Sequence, residues 1–192
     1  RRKFMSHADG LIHADLHTSN ILASRDEMKV IDMEFAFMGP FGYDLGYLVG
    51  NIISQYCAAC FKRFPSEQNR KQFKAYLLAT IKSLIETYMK TFTLCWERSV
   101  KERYRGQQGL LQSILQEVMV DMPGYASMVN WFRSVSDIPY PDFDVIENKD
   151  AKRNATVLSL MIDWGIMFGR YKYQSADDLI ETIIGIEEEF RK

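Results

Sequence analysis

Asp15, Asn20, Asp32 and Glu34 offer carboxylate and amide oxygens at spacings suited to phosphoryl transfer. That chemistry needs one carboxylate beside the attacking hydroxyl. It also needs a side-chain amide further along the same loop, and a carboxylate from a nearby strand to hold a divalent cation on the phosphates. Asp15 suits the first task, Asn20 the second and Asp32 the third, while Glu34 adds a second carboxylate. Mg²⁺ prefers hard oxygen ligands and keeps several waters, so one or two carboxylates, an amide oxygen and phosphate oxygens complete its octahedron. The run His13-Ala14-Asp15-Leu16-His17-Thr18-Ser19-Asn20 matches the pattern H-R-D-L-x-x-x-N at every specified position except the arginine.

These residues need elements that bring them together. Ile21-Leu22-Ala23 and Met28-Lys29-Val30-Ile31 are short apolar runs around the polar turn Ser24-Arg25-Asp26-Glu27, the pattern of a small antiparallel hairpin. Such a hairpin folds the chain back so that Asp32 lies beside the loop. The first residues, Arg1 to Ser6, read as the tail of a helix running into a turn. From Asp44, placed as an N-cap, the apolar residues Leu45, Leu48, Val49, Ile52, Ile53 and Tyr56 recur as one buried helix face. A long helix is predicted through Phe73 to Phe92, and another through Leu111 to Met119 that ends at Pro123-Gly124. Pro139-Tyr140-Pro141-Asp142 is expected to be a loop, helices resume near Glu147 to Lys172, and Ser175 with Asp178 forms a capping box for the last helix.

A chain of 192 residues with 47% hydrophobic content has enough apolar side chains for one substantial domain or one lobe of a larger enzyme. Lys+Arg 24 against Asp+Glu 25 gives no basic surface for nucleic acid or anionic membrane, so the expected partner is small. The most apolar stretch, Leu158 to Phe168, is interrupted by Asp163, and no run reaches the roughly 18 residues of a membrane span. Three cysteines do not make a disulfide framework, which points to a reducing, cytoplasmic setting. Cys57-Ala58-Ala59-Cys60 has redox-motif spacing, yet it follows an amphipathic helix instead of opening one, so a low-pKa thiol is not expected.

The stretch Leu11 to Gly50 resembles the aminoglycoside-phosphotransferase-like kinases, and within them the methylthioribose kinases. The resemblance rests on the loop at residues 13–20, on Asp32-Met33-Glu34 in a D-x-E arrangement, and on Gly39-Pro40 leading into Gly42-Tyr43-Asp44-Leu45-Gly46. It implies an α+β, mostly α fold, the C-terminal lobe of a protein-kinase-like fold, helical with a small β-hairpin carrying the catalytic and metal-binding segments. It implies that Asp15 orients or deprotonates a sugar hydroxyl, and that Asp32 and Glu34 bind Mg²⁺ with help from Asn20. His13 is then a support that packs beneath the metal segment, and Asp44 a brace of the loop through backbone N–H groups, beside its reading as a plain cap. The donor is ATP, and the acceptor it points to first is 5-methylthioribose, phosphorylated at its anomeric hydroxyl in methionine salvage.

Two departures stand out. The family's substrate-side arginine pair falls on Phe132-Arg133 by gapless alignment, so a single guanidinium remains; Ala14 replaces a glycine and is expected to be tolerated. Arg133 is retained as a substrate-side residue, with Trp131 beside it as an aromatic wall for a thioether or other apolar substituent. The glycine-rich loop, strand lysine and helix glutamate of a complete kinase precede the catalytic loop, and none fits in residues 1–10. The chain is therefore expected to be a C-terminal lobe without its nucleotide-covering partner lobe, and to transfer phosphate poorly or not at all alone. Whether two copies pair as a homodimer is left open.

Other readings stay beside this one. His17 fits a substrate contact and a surface residue equally. The acceptor class also admits another sugar, a choline-like alcohol or an aminoglycoside. From a different class, His13-x-Asp15-x-His17 reads as metal ligands of a hydrolase, although all three histidines lie between His7 and His17. A noncatalytic helical module is the third class, opposed by the intact Asp15, Asn20, Asp32 and Glu34.

Overall fold

The computed structural model describes residues 2–136 and 140–192. Helix α1 (Arg2–Ser6) is followed by short strands β1 (Gly10–Ile12), β2 (Ile21–Ala23), β3 (Met28–Val30) and β4 (Phe37–Gly39). β2 and β3 pair antiparallel with Ile21 opposite Val30 and Ala23 opposite Met28, the hairpin expected from the sequence. Its turn is closed by the Ser24 N–H donating to the Glu27 carbonyl at 2.8 Å. A second pairing is not legible in the sequence: β1 and β4 join antiparallel, Gly10 opposite Gly39 and Ile12 opposite Phe37. Three-residue strands are too short to show an alternating pattern. This pairing clamps together the two ends of residues 13–36, so that the loop and hairpin emerge from one base.

The rest is helical: α2 (Gly42–Phe61), α3 (Glu67–Ser99), α4 (Gln108–Val135), α5 (Pro141–Asp144), α6 (Lys149–Gly169) and α7 (Ala176–Phe190). Local chemistry sets several starts. Ser66 accepts from the Asn69 N–H at the head of α3, Asn148 from the Ala151 N–H at the head of α6, and Ser175 with Asp178 forms the expected capping box on α7. The core gathers Val49, Ile53 and Tyr56 of α2, Ile81 of α3, Met122 of α4, Leu158 and Ile162 of α6, and Leu179 and Ile183 of α7. No helix among the described residues is long and apolar enough to cross a membrane.

Four expectations are corrected. α2 begins at Gly42, so Asp44 lies inside the first turn and is not the N-cap. α2 is also buried nearly all the way round and not on one face only, because small residues let its neighbours come close. A Cβ on Gly46 would lie 2.6 Å from the Met122 carbonyl oxygen and from Tyr125 Cβ, which shows how tightly α4 crosses there.

The helix predicted to stop at Pro123-Gly124 instead runs on to Val135. Proline inside a helix costs about 3 kcal/mol, but each buried Met or Leu side chain returns about 1.5–3 kcal/mol. Met122 and Ala126, both fully buried against the core, hold the turn together on either side of the proline. Finally, Pro141 does not lie in a loop but opens α5, where its missing N–H is no loss; Pro139 lies outside the described residues.

One polar cluster sits inside the core. The Asn130 amide donates to Asp163 Oδ1 at 2.8 Å, Ser54 Oγ donates to Asn130 Oδ1 at 2.6 Å, and Ser127 Oγ donates to the Asp163 carbonyl at 2.8 Å. Oδ2 of Asp163 is buried and has no partner among the described residues. Cys57, near Asp163, and Cys60, near Glu187, are both buried, and burial pushes both thiols up, Cys60 to about 12. The redox reading of their spacing therefore has no support.

Candidate active site

A row of polar side chains on α2 holds the loop at residues 13–20. Asp44 Oδ2 accepts the His13 N–H at 2.6 Å and its Oδ1 accepts the Ala14 N–H at 2.9 Å. Tyr47, one turn on, donates its phenol proton to Asp15 Oδ1 at 2.8 Å. Asn51, a further turn on, accepts from both the backbone N–H and the hydroxyl of Thr18, at 2.9 and 2.7 Å. Positions 44, 47 and 51 share one helix face. The row therefore fixes residues 13 to 18 to a helix that the core makes rigid.

The loop's own bonds complete the frame. Asn20 Nδ2 donates to the Asp15 carbonyl at 3.0 Å, as does the His17 N–H at 2.9 Å. Buried His13 donates from Nε2 to the Ile31 carbonyl at 2.8 Å, while its Nδ1 receives the Asp15 N–H at 3.3 Å, a pairing that places the ring proton on Nε2. The Ile31 N–H in turn donates to the Asn20 carbonyl at 3.0 Å. The hairpin thus brings Asp32 next to the loop, as its proposed purpose requires.

Among the described residues, left-handed backbone at non-glycine positions falls only at this site. Ala14 and Asp32 are the non-glycine residues with left-handed backbone, at φ 68° and 66°. That conformation costs an L-residue roughly 1–2 kcal/mol. Two hydrogen bonds to the Asp44 carboxylate, each worth about 1.5–3 kcal/mol, outweigh it. Glycine would adopt the turn without strain, which explains why alanine is a departure here. Ala14→Gly is expected to stabilise the chain by about 0.5–1 kcal/mol, the relieved strain being partly offset by the freer unfolded chain; a lower urea midpoint for the variant would contradict this.

Asp32 and Glu34 are exposed beyond β3. Among the described residues no three His, Cys, Asp or Glu side chains are grouped closely enough to hold a metal by themselves. A hydrolase centre built from such ligands, with His13, Asp15 and His17 at its heart, is therefore not assembled; His13 is committed to the backbone. The donor set does fit Mg²⁺ carried on a polyphosphate. Asn20 has its amide nitrogen engaged and keeps its oxygen to offer, and one or two carboxylates are all that such a cation asks of the protein.

Beside Asp15 opens a cavity of about 460 Å³, lined by Phe4, Tyr43, Tyr47, Tyr125, Met128, Trp131, Phe132, Arg133 and Tyr140 among others. Tyr47 belongs both to this wall and to Asp15. Trp131 and Arg133 both line this cavity. Yet the Arg133 guanidinium is occupied: its Nε and Nη2 donate to Asp142 Oδ2 at 2.8 and 2.6 Å, and it stacks over Tyr140 at 4.4 Å. Asp142 is buried, and Gln55 of α2 donates to its other oxygen. The cavity is thus aromatic, with its single guanidinium paired.

A family model described as the phosphotransferase enzyme family matches residues 2–84, which covers the loop, the hairpin with Asp32 and Glu34, and all of α2. The likeness is to phosphotransferases. Methylthioribose kinase of Geobacillus thermodenitrificans is 31% identical over 97% of this chain and 45% of its own length. That of Geobacillus kaustophilus is 32% identical over 93% of the chain and 42% of its length, and that of Bacillus cereus 31% over 91% and 42%. The chain spans less than half the length of these curated relatives. The resemblance read from residues 11–50 therefore extends over nearly the whole chain, and the mostly helical architecture with its small hairpin is that of the larger lobe of a protein-kinase-like fold.

Tyr47 and Asn51 were not singled out from the sequence. A signal existed: tyrosine and asparagine interrupt the apolar run of α2 at three and seven residues after Asp44, the spacing of one helix face. What it would not have told is which loop residues they meet. His17 lies with Nε2 3.4 Å from Asp15 Oδ2.

Proposed function

We propose that this chain is the catalytic and substrate-binding lobe of an ATP- and Mg²⁺-dependent kinase acting on a hydroxyl of a small sugar, in the first instance 5-methylthioribose, to give 5-methylthioribose 1-phosphate. The single observation that carries this reading is the held carboxylate of Asp15, fixed by Tyr47 and set on a loop that Asp44 and Asn51 clamp to the core. In the proposed reaction Asp15 orients the acceptor hydroxyl and takes its proton as the oxygen attacks the γ-phosphate in line. Asn20, Asp32 and Glu34 would hold Mg²⁺, which when bound neutralises charge on the phosphates. His13 and Asp44 position the loop, and Trp131 walls the acceptor's apolar end.

The nucleotide-covering lobe is proposed to lie in a part of the protein outside these residues. Leu22, Met28, Val30, Met33 and Phe35 are all exposed around the hairpin, an apolar face suited to being covered. A cytoplasmic setting belongs to the same proposal. A second acceptor class is favoured by the pairing of Arg133 with Asp142: without a free guanidinium pair, an uncharged alcohol with an apolar substituent suits the cavity as well as a thiosugar does.

The test is ADP release by the full-length protein with ATP, Mg²⁺ and 5-methylthioribose, beside a panel of other sugars, choline-like alcohols and aminoglycosides. Turnover of 5-methylthioribose is expected, and residues 1–192 alone are expected to show little or none. Turnover of another alcohol in its place would remove the named substrate and keep the reaction class. Loss of both would remove the class.

A further inference from the structure

We infer that Tyr47 is the positioning residue of the acceptor base, fixing the carboxylate of Asp15 so that one oxygen alone is presented to the acceptor hydroxyl; this rests on the kinase reading above. A carboxylate turns readily about its last side-chain bond, since that torsion is broad. Here Oδ1 receives the Tyr47 phenol at 2.8 Å, and Oδ2 is left facing His17 Nε2 at 3.4 Å. The hydroxyl is therefore received at Oδ2.

Tyr47 can impose this orientation because its backbone does not move. It sits between buried Gly46 and Leu48 on the central helix, one turn from the Asp44 clamp and one turn from the Asn51 clamp. Its ring packs 6.0 Å from that of Tyr43 and walls the aromatic cavity, so an acceptor lying there passes the phenol on its way to Asp15. Burial first, then the bond to Asp15, pushes the phenol's pKa well above its ordinary value. It stays a donor throughout the working pH range and holds the carboxylate without exchanging a proton with it.

A half-buried tyrosine also seeks a partner for its hydroxyl merely to satisfy it, and the two roles differ in kinetics. In the full-length protein, with 5-methylthioribose or whichever panel alcohol the wild type phosphorylates, Tyr47→Phe keeps the wall and removes the donor. The expected result is a fall in kcat of about ten- to hundredfold, the scale of a misaligned reacting group, with the acceptor KM within about threefold and the thermal midpoint unchanged. Tyr47→Ala, which removes the wall as well, is expected to lower kcat similarly and also to raise the acceptor KM. A Tyr47→Phe enzyme with wild-type kcat would overturn the inference while leaving the kinase reading intact. A loss that appears only in KM, or only in proportion to lost stability, would overturn it too. A wild type that turns over no acceptor removes the kinase reading and this inference together.

Discussion

Asp15→Asn in the full-length protein is expected to lower kcat for acceptor phosphorylation by about 10²–10⁴-fold, the usual worth of a positioned general base. Asparagine keeps the shape of the side chain and an oxygen to accept the Tyr47 phenol. The Asp15 backbone carbonyl, which holds Asn20 and His17, is untouched by the change. What is lost is the ability to take a proton from the acceptor. The thermal midpoint should therefore stay near that of the wild type while turnover collapses. If Asp15 were a solvated turn residue, turnover would survive, and steady-state kinetics with folding checked by circular dichroism separates the two outcomes.

The second large effect concerns stability and pH. Burial pushes the Asp163 carboxyl up to about 8, against the opposing pull of the hydrogen bond from Asn130. In the unfolded chain an aspartic acid titrates near 4. Between about pH 4 and 8 the unfolded chain is ionised while the folded chain keeps the proton, so folding takes up a proton and stability falls as pH rises. Above the folded value the loss levels off. At about 1.4 kcal/mol per pH unit the span amounts to something on the order of 5 kcal/mol. Asp163→Asn keeps an oxygen for Asn130 and removes the titration. Its urea midpoint should exceed that of the wild type at pH 8, and the difference should shrink toward pH 4.5; a difference independent of pH would sink the assignment.

Much of the local structure was legible in the residues. The hairpin follows from two apolar runs around a polar turn, and the cap of α7 from Ser175 and Asp178, because each is settled by hydrogen bonds within a few residues. The pairing of β1 with β4 escaped, since its strands join residues far apart in the chain and carry no periodicity of their own. Pro123 misled for a related reason. A local rule ends a helix there, but the energy that carries α4 onward comes from burying Met122 and Ala126 against other helices. Asp44 shows both sides: local pattern suggested a plain helix cap, which it is not, while the family resemblance implied a brace of the loop, and the His13 and Ala14 N–H groups do donate to its carboxylate.

The sequence by itself determined the chemical inventory: Asp15, Asn20, Asp32 and Glu34 in order, a hairpin between the second and third, and helices to support them. Only the tertiary structure decided who holds whom. Tyr47 reaches Asp15, Asn51 reaches Thr18, Arg133 is spent on Asp142, and Asp163 is shut into the core with no cation beside it among the described residues. Spacing along a chain encodes local hydrogen bonds and the face a helix buries. Contacts across thirty or more residues depend on how whole helices dock, and that is set by the summed packing of side chains no short motif contains.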